Sequence, residues 1–185
     1  MLDEIRAKEA AFIDAQKIFF VATAPLSADG HVNLSPKGYT SFARLDSRRV
    51  AYIDLGGSGI ETHAHLRENG RICLMFCAFE GDPLILRLYG RGKAHQYGTS
   101  NFDVLRPNFP EIEVPVRGII EVGLTSIQRS CGWAVPNYDF VSDRETLRDY
   151  SAKRTQDEFM ARQVVANRSS LDGLPGLDGP PEDVP

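Results

Sequence analysis

The alternation of apolar and polar positions divides the chain into short elements. Residues 3–16 place Ile5, Phe12 and Ile13 at i, i+7 and i+8, one face of a helix with Asp3 as its N-cap. The period then drops to two. Strands are predicted over 18–24, 31–35, 38–45, 49–55, 71–79, 84–96 and 116–128. Asp29-Gly30 is a hairpin signal, and Pro36, which has no N–H to give a ladder, marks an edge strand or a bulge. Gly56-Gly57-Ser58-Gly59 ends one strand and opens a short helix over about 60–68, stopped by Asn69-Gly70. A small helix is predicted at 101–105, ended by Pro107, and a longer one from Ser142 to about Arg162, opened by the capping box Ser142-Asp143-Arg144-Glu145. Residues 167–185 are rich in Gly and Pro and lack an apolar period, which predicts an irregular tail that the rest folds without. Strands outnumber helices. The expected fold is mainly β with flanking helices, one antiparallel sheet of six or seven strands closed as a small barrel within residues 1–166.

Charge and composition narrow the function classes. The chain has 185 residues, with 21 Lys and Arg against 25 Asp and Glu, so its net charge is −4. That length suits one core, and so acidic a chain has no general phosphate-tracking surface, which argues against nucleic-acid binding. The apolar run Ile18–Ala22 is far short of the ~20 residues a bilayer span needs, and the first residues are acidic; a cytoplasmic protein without a membrane segment is expected. Cys73 and Cys77 share a strand and lie ~13 Å apart there, too far for a disulfide, so buried reduced thiols are expected. His63 and His65 sit two apart on a helix and point different ways, which predicts no metal site. No nucleophile elbow or cysteine signature is present, and no residue is assigned as general acid or base.

Three patterns carry candidate chemistry. His31, Asn33, Ser35, Lys37 and Tyr39 share one strand face, with Val32 and Leu34 expected to point into the core. This is either a solvated sheet face or a face that holds a polar ligand, with Lys37 as its anion partner. On the strand at 84–93, Leu84, Leu86 and Leu88 face one side, while Arg87, Tyr89, Arg91 and Lys93 face the other. Water can screen three such cations, and an anionic partner would also account for them. Gly90 and Gly92 invite close approach by a ligand or another backbone. Gly57-Ser58-Gly59-Ile60-Glu61-Thr62 follows a strand and opens a helix, whose free N–H groups and dipole favour anions. Glu80 follows 23 residues after Gly57, as in a dinucleotide fingerprint, but Thr62 stands where that motif needs its third glycine. A phosphate pocket in another fold, or a plain turn, are the readings left. Trp133, the only Trp, is either a packing residue or a stacking wall.

Several stretches together resemble the pyridoxamine 5′-phosphate oxidase-related FMN-binding split-barrel family. They are Val32-Asn33-Leu34-Ser35-Pro36-Lys37-Gly38, the block from Gly57 to Gly81, and Leu86-Arg87-Leu88-Tyr89-Gly90-Arg91-Gly92. Ser130–Pro136 and Leu171–Leu177 are similar to the C-terminal signatures of one subgroup. The resemblance implies a six-stranded split barrel, a homodimer with FMN at the subunit interface, and an oxidoreductase acting on a small molecule. Carried over by position, it implies Lys37, Ser58 and Thr62 at the FMN phosphate, Asn33 and Ser35 along the ring and ribityl chain, and Arg87 and Arg91 on the neighbouring strand. Trp133 and the tail would cover the flavin or the dimer seam. This chain departs from the oxidase at the start of the short helix, where Glu61 and Thr62 replace a basic pair, and in lacking a recognisable substrate-binding terminus. Vitamin B6 oxidation is therefore not expected. The deazaflavin F420 or haem are the alternative cofactors, and non-catalytic flavin or haem storage is the alternative function.

Overall fold

A computed structural model describes residues 2–179. In chain order the elements are α1 (Ala7–Ala15), β1 (Phe19–Thr23), β2 (Asn33–Lys37), β3 (Phe42–Arg44), β4 (Arg49–Asp54), α2 (Glu61–Glu68), β5 (Arg71–Cys77), β6 (Ile85–Gln96), α3 (Ser100–Leu105), β7 (Gly118–Ser130), α4 (Thr146–Ser151) and α5 (Gln156–Ala166). The strands form one sheet in the order β2-β1-β5-β6-β7-β4-β3, every pairing antiparallel. The resemblance implied six strands; the seventh is the short β3, which pairs along β4.

The sheet curls because its two ends share one aromatic core. Phe19 of β1 lies 5.4 Å from Phe42 of β3 and 5.6 Å from Tyr52 of β4, and Phe42 meets Phe76 of β5 at 5.0 Å. Around them Val21, Leu74, Leu86, Leu88, Ile120, Val122 and Ile127 fill the concave side, closed at one end by Ile13 of α1. No ladder joins β2 to β3 among the described residues, so the barrel is split there. A second cluster covers the other face of β4 and β7: Ala51, Ile53 and Ile119 pack against Phe102, Leu105, Phe109 and Val116. The regular alternation along β5 and β6 is what lets one strand serve a buried face with every second residue. The β6–β7 ladder shifts register at Tyr89/Gly90. A Cβ at Gly90 would stand 2.5 Å from the Gly123 carbonyl, so the close approach expected there is a neighbouring strand's backbone.

Four expectations need correction. The first helix starts at Ala7, not Asp3, because residues 2–5 spend their backbone groups elsewhere: Leu2 exchanges two bonds with Ile127, and Ile5 donates to Ser47. The predicted helix from Ser142 is two helices. The Ser142 box does not cap, and the working capping box is Thr155 with Glu158, at the start of α5. Val32 and Leu34 are exposed (73% and 65%), while Asn33, Ser35 and Lys37 turn inward. The strand is an edge, as Pro36 signalled, and the interior beside it is polar, so its polar side faces in. The tail from Asn167 to Gly179 is irregular, yet it is packed: Asn167, Ser170 and Leu177 are buried, and Gly176 fits against Ile60 with no room for a side chain. Residues 180–185 of that tail lie outside the described part.

Candidate functional site

The end of β4 carries a carboxylate into the interior. Asp54 follows Val50, Ala51, Tyr52 and Ile53, all buried, and its own side chain is only 4% exposed. Arg117 at the entry to β7 donates Nε to Asp54 Oδ2 at 2.7 Å, and His63 Nε2 of α2 meets the same oxygen at 2.8 Å. Lys37 Nζ of β2 stands 3.9 Å from Oδ1. Arg117 also donates to the Gly59 carbonyl and to Gln163 of α5. One buried cluster thus ties β2, β4, the bend before α2, β7 and α5. Burial alone would push Asp54 up, but Arg117, His63 and Lys37 outweigh it and hold the carboxyl well below its ordinary range. Burial first, and then the Asp54 charge, push the Tyr52 phenol well up.

A second network lies beside it. Asn33 Nδ2 donates to Thr62 Oγ1 at 3.0 Å and to Thr23 Oγ1 at 3.3 Å, and Ser35 donates to Asn33 Oδ1 at 3.1 Å. Thr62 also hydrogen-bonds the Tyr52 phenol. Thr23 Oγ1 bonds His65 Nδ1 at 2.9 Å, while His65 Nε2 is buried without a partner among the described residues. Burial lowers the His65 pKa despite the opposing carboxylates of Asp172, Glu61 and Glu68, so the ring stays neutral below the usual histidine range.

Beyond Lys37 the barrel opens into a cleft of about 1000 Å³. Its floor includes Lys37, Ser41, Ile53 and Leu55, and its roof is the segment 138–150. Tyr39, Phe79, Tyr138, Phe140 and Tyr150 supply aromatic walls. The roof is held by Tyr138 N to the Phe79 carbonyl (3.0 Å), Phe140 N to Glu80 Oε1 (3.0 Å) and the Tyr39 hydroxyl to the Arg144 carbonyl (2.6 Å). The volume is at the upper end of what small-molecule and cofactor sites use. The lining is rich in aromatics and carries three cations, Lys17, Lys37 and Arg144, beside Glu80, Asp139 and Asp143; Lys37 is the one tied into the Asp54 cluster.

The structure brings some of the sequence-selected residues together and not others. Lys37 lines the cleft. Asn33, Ser35 and Thr62 meet in the network behind it. Ser58 is exposed on the bend, where the tail crosses: Asn167 Nδ2 donates to Gly57 O and Leu171 N donates to Glu61 Oε1. Arg87 lies on the opposite sheet face, on Ser130 at 2.9 Å; Arg91 donates to the Asn69 carbonyl, and Trp133 is 84% exposed. Asp54, Arg117 and the cleft aromatics other than Tyr39 went unnoticed in the sequence. The available signal was Asp54 itself, a carboxylate ending the buried run Val50–Ile53.

Comparison with known proteins agrees with this architecture. A family model described as pyridoxamine 5′-phosphate oxidase matches residues 5–107. The chain is 38% identical over 181 residues to the pyridoxamine 5′-phosphate oxidase family protein ustO of Aspergillus flavus, covering 88% of this chain and 71% of that one. Among solved structures, HupZ of Group A Streptococcus superposes with a TM-score of 0.52 at 20% identity, over 73% of this chain and 99% of its own, a likeness in fold. With over half of its length matched by the family model and most of it by a curated relative, this split-barrel chain belongs to the pyridoxamine 5′-phosphate oxidase family.

Proposed function

We propose that this chain binds FMN in the aromatic cleft, with Lys37 as its cationic anchor, and acts as an oxidoreductase on a small molecule. The observation that carries the reading is the placement of Lys37: a half-buried ammonium at the floor of a 1000 Å³ aromatic cleft, in a chain of this family. A flavin, when bound, supplies hydride and electron transfer; the protein supplies orientation and charge. Lys37 offers a charge-assisted bond to phosphate, and Asp54, 3.9 Å from its ammonium, holds the head group at the cleft floor. Tyr39, Phe79 and Tyr138 offer faces for a planar ring. Ser58 and Thr62 serve the bend, since Thr62 is committed to Asn33 and Tyr52, and the Glu61 carboxylate folds back against Gly59.

The partner in this reading is a second copy of the chain. Val32, Leu34 and Pro36 stand on the outer sheet face in register with Ala22, Phe20, Met75, Cys73, Arg87 and Tyr89, and among the described residues Val32 and Leu34 are left 73% and 65% exposed there. Pro36 belongs both to that face and to the cleft wall, so a docked copy would reach the cofactor, with Arg87 at the seam. Light scattering should give a dimer, and Leu34→Asp a monomer; a monomeric parent would overturn the partner.

An absorption spectrum of the purified chain, followed by FMN titration, tests the cofactor. A flavin spectrum that bleaches with a nicotinamide cofactor supports both halves of the reading. A flavin spectrum inert to every reductant overturns the enzyme half. A haem Soret band, or FMN fluorescence that the protein leaves unquenched, overturns FMN.

A further inference from the structure

A second pocket of about 340 Å³ lies on the other side of α2, between that helix, β6 and the start of α3. Its walls carry Arg67, Lys93, His63 and His95. The two histidines each have a carboxylate on Nε2: Asp54 at 2.8 Å for His63 and Glu121 at 3.1 Å for His95. Glu121 is shared further with Arg49. Arg67 grips one carboxylate with both of its terminal nitrogens, that of Asp178 in the tail, at 3.1 and 2.7 Å. Gln96 fixes the Asp178 backbone on both sides, its amide donating to the Asp178 carbonyl (3.0 Å) and its oxygen accepting from Asp178 N (3.1 Å). Lys93 has no ion pair among the described residues.

The charges do not balance within the pocket. Glu121, across the ladder from Lys93, is taken up by Arg49 and His95, so the carboxylate left to Arg67 and Lys93 is that of Asp178, 72% exposed in the tail. An exposed ion pair of this kind contributes little and exchanges readily. A guanidinium that already holds a carboxylate by two parallel bonds presents the geometry that phosphate also uses, and a dianion would satisfy Lys93 as well. We propose that this pocket binds a compact phosphate monoester through Arg67 and Lys93, and that Asp178 is the internal carboxylate the ligand displaces. The site is separate from the Lys37 cleft, and the proposal stands whatever that cleft binds.

Titration of the full chain with inorganic phosphate and with methyl phosphate, at constant ionic strength, tests it through backbone amide NMR shifts of residues 93–101 and 176–178. Saturable shifts are expected for both anions. Lys93→Ala and Arg67→Gln should each weaken binding by about tenfold or more, the loss of one charge-assisted bond. Asp178→Asn, an exposed change that leaves the fold alone, should tighten it by removing the competitor. Lys37→Ala should leave it unchanged. Shifts that never saturate, an Asp178→Asn variant no tighter than the parent, or loss of the shifts in Lys37→Ala would each overturn the proposal.

Discussion

Asp54→Asn is expected to destabilise the protein by about 3–5 kcal/mol, the cost of leaving a buried charge without its partner. Arg117 is 5% exposed and sits 2.7 Å from Asp54, and no other carboxylate reaches its guanidinium among the described residues. The neutral amide keeps the shape and loses the charge, so the loss reports electrostatics rather than a cavity. Urea unfolding at neutral pH measures it; a midpoint within error of the parent would show that the cluster contributes nothing. The pH dependence gives an independent readout. The folded Asp54 carboxyl lies below its unfolded value, so the unfolded chain binds more protons in acid. Its stabilisation is complete above the ordinary aspartate pKa of about 3.9 and is lost as the pH falls through the lower folded value. His65, also lowered, adds an earlier loss that begins as the pH drops below about 6.5, where the unfolded imidazole takes up its proton. The parent should therefore lose stability in two stages on acidification. Asp54→Asn should keep the first and show a shallower second, because Asp46, Glu158 and Asp172, held low by their hydrogen bonds, still contribute there.

Lys37→Ala is expected to weaken FMN by about 1.5–3 kcal/mol, roughly ten- to a hundredfold, the value of a hydrogen bond to a charged group. The substitution should barely change folding, because Asp54 keeps Arg117 and His63 at bonding distance while Lys37 is 3.9 Å away. Lys37→Arg should retain much of the affinity, since it keeps the charge at the floor of the cleft. Fluorescence titration with FMN, alongside the unfolding midpoint, separates the two effects. Affinity equal to the parent's would remove Lys37 from the site. Weaker binding that tracked a lower midpoint would make it a structural residue.

The alternation of apolar residues located β5, β6 and β7, because each serves a covered face with every second side chain, and that signal is local. The stop at Asn69-Gly70 was equally local: Gly70 takes φ +69°, which an L side chain resists. Alternation does not say which face is covered. Along β2 the polar face turned inward, because the curl of the sheet put Thr23, Thr62 and Asp54 beside it; hydrogen bonds of Asn33 to the two threonines and of Ser35 to Asn33, with the Asp54 charge opposite Lys37, offset the burial. Capping patterns were similarly ambiguous, with two boxes in one stretch and only Thr155 in use, where Gln156 docks α5 on Val116. By itself, then, the sequence determined the strands, the edge at Pro36 and the family, since these rest on neighbours along the chain and on motif order. Tertiary structure alone decided the Asp54 cluster, the aromatic cleft and the packed tail. Their partners are separated by up to 141 positions, as in His31 with Asp172, and only the curl of the sheet brings such groups within reach of one another.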